Sequence, residues 1–243
     1  MVEVGAGLGT LTAHLVKRAA KVVAVEVDEK LCSHLRERFA EAPNLSLVCA
    51  DVLSLTPTDL LRQADAAPPY LVVANRPYYI AAPVLRLFLE AAEPPARLVV
   101  MVQKEVAESI VAGPGEASLL GMSVQFYAAP RLLFTVPPSA FYPPPKVHSA
   151  VLRLDVRARS AVEVADVAGF FRFLRAGFSA PRKQLRNALG HALGAPPVAV
   201  SRAMTEAGVD PRLRAQALGL HDWARLYGVF SASGLHKSKG AGR

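Results

Sequence analysis

The sequence predicts an α/β domain built on a largely parallel sheet, followed by a small all-α domain. Three observations carry that expectation. Short β-rich runs alternate with longer helical stretches through the first 155 residues, a pattern that builds a sheet whose strands are joined by helical crossovers. Several runs are almost unbroken apolar segments, as strands covered on both faces require. Strand signals then stop, and the rest reads as helices punctuated by Pro196-Pro197 and Pro211.

Taken in order, the candidate strands are Val2–Val4, Lys21–Val25, Leu45–Cys49, Tyr70–Ala74, Arg97–Val102, Leu132–Val136 and Val147–Leu154. The first, second and fourth are the near-continuous apolar runs. Helical patterns such as Glu29–Glu41 and Pro83–Ala92 lie between strands. Only the Pro-rich loop Pro137–Lys146 separates the last two strands. That gap is too tight for a crossover, so an antiparallel hairpin is expected there. The outline is a Rossmann-like sheet. Val164–Gly177 and Arg182–Leu193 are the clearest helices of the second domain. The expected division is a catalytic domain over 1–157, a helical domain over 158–232 and a disordered basic tail over 233–243.

Charge is distributed unevenly. Residues 1–155 carry 14 Lys/Arg against 15 Asp/Glu, a balance of −1, whereas residues 156–243 carry 14 against 5, a balance of +9. A basic module beside a neutral one suits a polyanionic partner. No apolar run reaches the roughly 20 residues that cross a bilayer, and the first residues do not read as a signal peptide. Cys32 and Cys49 sit in regular segments and suggest no disulfide framework, so a reducing, cytoplasmic setting is expected. No metal-ligand set is expected.

Gly5, Gly7 and Gly9 form a Gly-x-Gly-x-Gly turn between the first strand and a helix. Glycines let a backbone turn sharply and approach a ligand without a Cβ in the way. The spacing differs from Gly-x-Gly-x-x-Gly, so no pyrophosphate is implied. Glu26 ends the second strand, where a carboxylate accepts from both ribose hydroxyls of an adenosine. Asp51, followed by Val52, comes just after the third strand, where a carboxylate accepts from an adenine amino group. Three consecutive strand ends thus supply the groups that an adenosine-containing cofactor needs.

The fourth strand runs into Asn75-Arg76-Pro77-Tyr78. In an open α/β sheet, ligands sit at the carboxyl ends of strands, so this turn would face the cofactor. An adenine amino group is a poor nucleophile because its lone pair is delocalised into the ring. Two acceptors aimed at its hydrogens, the Asn75 side-chain oxygen and the Arg76 carbonyl, would stabilise the charge that develops as the nitrogen attacks. Pro77 would stiffen the turn, and Tyr78 would offer a face for the base.

With those residues the chain resembles the ribosomal RNA adenine dimethyltransferases, in the branch acting near the 3′ end of small-subunit RNA. The resemblance also rests on Gln103–Glu108, on Val136-Pro-Pro-Ser-Ala-Phe-Tyr-Pro-Pro-Pro-Lys-Val-His-Ser-Ala-Val151, and on Phe178-Ser-Ala-Pro-Arg-Lys-Gln-Leu-Arg-Asn187. It implies a class I methyltransferase sheet, S-adenosyl-L-methionine as cofactor, and dimethylation of adenine N6 in 16S ribosomal RNA. It implies a cytoplasmic monomer that meets its RNA on the pre-30S particle and has no membrane association. It further implies that Phe141 stacks on the target adenine opposite Tyr78, and that Arg182, Lys183 and Arg186 face RNA phosphates.

The chain departs from the family pattern twice. Arg76 stands where an aliphatic residue is usual, although the proposed chemistry uses only its carbonyl. The family also carries, upstream of the first strand, a segment with a Gln-Asn-Phe-Leu motif that packs over the cofactor. The 243-residue chain is therefore expected to bind the cofactor weakly and methylate poorly unless such a segment is added. Two alternatives stay open at this point: a silent RNA-binding assembly factor, and a large-subunit RNA methyltransferase conferring antibiotic resistance. A DNA adenine methyltransferase fits less well, for want of a second proline in the tetrad and of a separate recognition domain.

Overall fold

The structure, a computed structural model, describes residues 1–75 and 80–235. Arg76, Pro77, Tyr78 and the end of the basic tail lie outside the described residues. Among the described residues the strands are β1 (Val2–Val4), β2 (Val22–Glu26), β3 (Leu45–Cys49), β4 (Leu71–Asn75), β5 (Arg97–Gln103), β6 (Ala128–Val136) and β7 (Ser149–Val156). They form one sheet in the order β3-β2-β1-β4-β5-β7-β6. Strands β1 to β5 pair in parallel, and β7 runs antiparallel to both β5 and β6. The helices are α1 (Thr12–Leu15), α2 (Glu29–Arg38), α3 (Pro57–Gln63), α4 (Ala81–Leu89), α5 (Lys104–Val111), α6 (Leu119–Tyr127), α7 (Val167–Phe178), α8 (Leu185–Leu193), α9 (Pro197–Glu206) and α10 (Leu220–Ala232).

Burial follows the apolar runs closely for β1 and β2, every residue of which is buried, including Glu3 and Glu26. β4 differs from the expectation. Val72 and Ala74 are buried while Leu71 and Val73 are half-exposed, so its apolar run is fully covered on one face only. Local sequence sets the helix ends. Asp28 caps α2 by accepting from the N–H groups of Lys30 and Leu31 at 2.8 and 3.2 Å. Thr56 caps α3 and Pro57 opens it. Asp166 accepts from Gly169 N–H at 2.9 Å, so α7 starts at Val167 rather than Val164. α8 begins at Leu185, which leaves Arg182 and Lys183 in the turn before the helix, and it closes on Gly194 at φ 62°.

The chain divides into two compact units, one of Met1–Glu108 with Tyr127–Ala158 and one of Ser109–Phe126 with the chain from Arg159 onward. The expected single cut after residue 157 therefore misassigns residues 109–126. The Phe126 ring lies 5.7 Å from Phe170 and 5.1 Å from Phe171, and its carbonyl accepts from Ala161 N–H at 2.9 Å. Apolar contact along α6 outweighs nearness in sequence. An aromatic cluster continues this unit's core: Phe173 meets Trp223, Tyr227 and Phe230 at ring separations of 5.9, 5.6 and 4.9 Å.

The cysteines correct a second expectation. Cys32 and Cys49 form a disulfide between α2 and the end of β3, with Cα atoms 6.1 Å apart. Because β3 lies parallel beside β2, the first turn of α2 and the last residue of β3 meet at the same edge of the sheet. Adjacency in the fold, not spacing in the sequence, brings them together.

Gly9 packs the glycine turn against Leu35 of α2 and Phe39 at its end. Its φ is +79°, and a Cβ there would fall 2.6 Å from Phe39 Cε2 and 2.8 Å from Leu35 Cδ2. Gly9→Ala is expected to cost about 1–3 kcal/mol, from left-handed strain and overpacking together. Gly113→Ala, with nothing within 4 Å of the added methyl, is expected to change stability by less than about 0.5 kcal/mol. Urea denaturation of the two variants checks the contrast.

Candidate active site

The glycine turn is built by the end of β2. Val25 carbonyl accepts from the N–H of Gly5 at 2.7 Å and of Ala6 at 3.2 Å. Glu26 is 2% exposed, and its carboxylate accepts from three backbone donors. Gly7 N–H reaches Oε2 at 2.8 Å, while Val27 and Asp28 N–H reach Oε1 at 2.9 and 3.1 Å. Gly7 has φ +60°, a conformation that turns its N–H toward the acid and that other residues adopt at a cost. Arg38 of α2 donates to the Leu8 carbonyl and ties the far side of the turn. Glu26 is thus a structural clamp as well as a candidate ligand, a role its spacing in the sequence does not reveal.

A cleft of about 430 Å³ opens beside this turn, within the first unit. Gly5, Gly7, Asn75 and Phe141 line it together, with Glu3 and Met101 between them. Asn75 is exposed at the last position of β4, in register with Met101 of β5. Phe141 follows a short 3-10 turn over Pro138–Ala140, and its N–H donates to the Pro138 carbonyl at 3.1 Å. Gly9, Glu26, Asp51 and Val52 are not among the lining residues. Gly9 packs on α2 instead. Asp51 is exposed one strand over from Glu26, and its Oδ1 accepts from Leu53 N–H at 2.9 Å. The Val52 side chain is 6% exposed and points inward, whereas Leu53 beside it is 41% exposed.

Two further features are absent from the sequence expectations. Glu3 is 1% exposed, faces the cleft and accepts from the Thr12 hydroxyl at 2.6 Å. Its signal in the sequence is an acid between two valines in a buried strand. The other feature is a row of exposed apolar side chains following the ends of β1, β2 and β3: Leu8, Val27 and Leu53. They follow the strand ends by four, one and four residues, positions where polar side chains would be ordinary.

In the second unit, Arg182 and Lys183 are exposed and Arg186 is half-buried in the first turn of α8. Leu185 N–H donates to the Leu213 carbonyl at 2.7 Å, which brings the Asp210–Arg214 loop against this turn. The Asp210 carboxyl is held below the usual carboxylate range, chiefly by hydrogen bonds from Arg212, with Arg186 adding to the effect.

A glycine turn braced by the acid of the next strand, and an asparagine at the fourth strand's end, share one edge of a parallel sheet. That arrangement defines a Rossmann-like enzyme of the class I methyltransferase type. The chain belongs to the ribosomal RNA adenine dimethylase family, whose model matches residues 1–231. It is 46% identical to ribosomal RNA small subunit methyltransferase A of Dehalococcoides mccartyi over 226 residues, 93% of this chain and 77% of that protein. Against the same-named protein of Moorella thermoacetica it is 40% identical over 233 residues, 93% of this chain and 81% of that one. Among solved structures, the 23S rRNA methyltransferase ErmE superposes with a TM-score of 0.70 at 27% identity, covering 95% of this chain and 90% of that one. A dimethyladenosine transferase from Plasmodium falciparum superposes with a TM-score of 0.78 at 23% identity, over 96% and 90% of the two chains, and shares the fold.

Glu26→Gln replaces one acceptor oxygen by an amide that repels an N–H. The expected cost in the ligand-free protein is about 1.5–3 kcal/mol, the scale of one charged hydrogen bond. Guanidinium denaturation of wild type and variant measures it, and equal stabilities would show that the carboxylate does not hold the turn.

Proposed function

We propose that this protein transfers methyl groups from S-adenosyl-L-methionine to the N6 atoms of adenine in 16S ribosomal RNA, near the 3′ end, giving dimethyladenine. The observation that carries the reading is the shared cleft: Asn75 and Phe141 line the same cavity as Gly5 and Gly7. Family membership supports adenine dimethylation, and the small-subunit names of relatives at 40–46% identity favour that RNA over the large-subunit alternative.

The site fits the cofactor. Gly5 and Gly7 bring bare backbone to the cleft. Beyond the cleft's own lining, at the ends of β2 and β3, Glu26 would accept from ribose hydroxyls and Asp51 from the adenine amino group, while exposed Leu8, Val27 and Leu53 suit the flat apolar faces of a nucleoside. When bound, the cofactor supplies a sulfonium-activated methyl group.

The chain's own task is alignment and charge stabilisation. The Asn75 side-chain oxygen accepts one hydrogen of the target amino group, and the Arg76 carbonyl accepts the other. Both favour the positive charge that builds on nitrogen during attack. The proton becomes acidic once the nitrogen is alkylated, so no strong base is needed. Phe141 holds the base by stacking, with Tyr78 on its other face, and Pro77 stiffens the turn. Arg182, Lys183 and Arg186 neutralise RNA phosphates. In this reading the enzyme is a cytoplasmic monomer that meets its RNA on the pre-30S particle; among the described residues no helix is long and apolar enough to cross a membrane.

Asn75→Ala is expected to leave S-adenosylhomocysteine affinity within about twofold while cutting methyl transfer on the order of 100-fold, the usual cost of one lost preorganised polar group. Calorimetry and radiolabelled methyl transfer to small-subunit RNA measure the two; a turnover loss below about threefold would remove Asn75 from the chemistry. Neutralising Arg182, Lys183 and Arg186 together should flatten the log–log salt dependence of RNA affinity by about two to three. An unchanged slope would show that they do not touch phosphate.

A further inference from the structure

Tyr142 is 100% exposed, yet it lines the cleft that holds Asn75 and Phe141. An aromatic ring left wholly in water contributes nothing to the core, so packing does not account for a tyrosine here. Its backbone is well held. Ala140 and Phe141 N–H groups donate to the carbonyls of Pro137 and Pro138 at 3.0 and 3.1 Å, and Pro143, Pro144 and Pro145 follow. At the far end of the loop, Lys104 N–H donates to the His148 carbonyl at 3.0 Å, and Ser149 opens β7. The loop therefore presents an unpacked ring from a fixed position at the rim of the cleft.

Phe141 has extended backbone angles, φ −119° and ψ 154°. Successive side chains on extended backbone diverge. Phe141 is half-buried and Tyr142 fully exposed, so the first ring belongs to the cleft and the second to its mouth. A base drawn out of its stack into a cleft leaves the neighbouring base without a partner on one face. An exposed ring carried at the mouth by a held backbone replaces that partner.

We infer that Tyr142 is a positioning residue that stacks on the nucleotide adjacent to the target adenine, holding the RNA strand while the base occupies the cleft. The inference rests on the reading of this cleft as an RNA adenine site.

The test uses the 243-residue protein as wild type, Tyr142→Ala and Tyr142→Phe. S-adenosylhomocysteine affinity is measured without RNA. Next, kcat/KM is measured on a small-subunit RNA hairpin, intact or with an abasic site on one side or the other of the target. Tyr142→Ala is expected to lower kcat/KM by about five- to a hundredfold, the range of one base–aromatic stack. Tyr142→Phe should restore it, and S-adenosylhomocysteine affinity should stay within twofold. For the abasic site on one flank, wild type should lose a similar factor and Tyr142→Ala should lose nothing more. Three results would overturn the inference: unchanged kcat/KM in Tyr142→Ala, weakened S-adenosylhomocysteine binding, or variant and abasic losses that multiply on both flanks. If neither the 243-residue protein nor the same protein extended by the family's upstream segment methylates the intact hairpin, the reading of the cleft as an RNA adenine site fails first.

Discussion

The Glu26 carboxylate joins the ends of β1 and β2 by accepting from Gly7 on one strand exit and from Val27 and Asp28 on the other. Without it the N–H groups of Gly7, Val27 and Asp28 would lose the acceptor that fixes both exits. A carboxylate suits the position because hydrogen bonds to a charged acceptor are stronger than those to a neutral one. It also compensates for its own burial, since a buried acid is tolerated only when its oxygens are satisfied. The glycine turn and the start of α2 at Asp28 rest on this carboxylate, and the main chain of the same residue pairs with the end of β3. Ala50 N–H, for example, donates to the Glu26 carbonyl at 2.9 Å.

From this anchor, strand order does the remaining work. With β1 between β2 and β4, the exits of three neighbouring parallel strands open onto one edge. Asn75 comes to that edge because β4 pairs directly with β1, with Ala74 beside Val4. Phe141 and Tyr142 arrive from the opposite direction, on the loop of the β6–β7 hairpin. Antiparallel β7 beside β5 sends this loop back to the same edge, with Ser149 opposite Gln103. Residues more than 130 positions apart in sequence thus share a cleft because of one reversal in an otherwise parallel sheet.

Periodicity and strand-end chemistry make much of this legible in the amino-acid sequence alone. The apolar runs of β1 and β2, the tight Pro-rich hairpin, the glycine turn and Asn75 at the end of β4 all follow from local rules. Features set by packing between distant segments are not legible in that way. Residues 109–126 join the helical unit because Phe126 meets Phe170 and Phe171, and no local pattern around Phe126 announces it. The Cys32–Cys49 bridge depends on β3 returning beside β2. Val52 and Leu53 are interchangeable in the sequence, yet the 3-10 turn after Asp51 buries one and exposes the other. The Glu3–Thr12 hydrogen bond needs α1 to fold back over β1, which a three-residue strand gives little reason to expect.

The account holds that the cofactor edge is assembled before any ligand arrives, by Glu26 acting on the backbone. Amide hydrogen exchange of the ligand-free protein tests this most directly, read at Gly7, Val27 and Asp28. If the carboxylate holds the turn, these three amides exchange slowly, with protection comparable to the adjoining residues of β2, and S-adenosylhomocysteine changes them little. Rapid exchange at all three without ligand, with protection appearing only on binding, would contradict it.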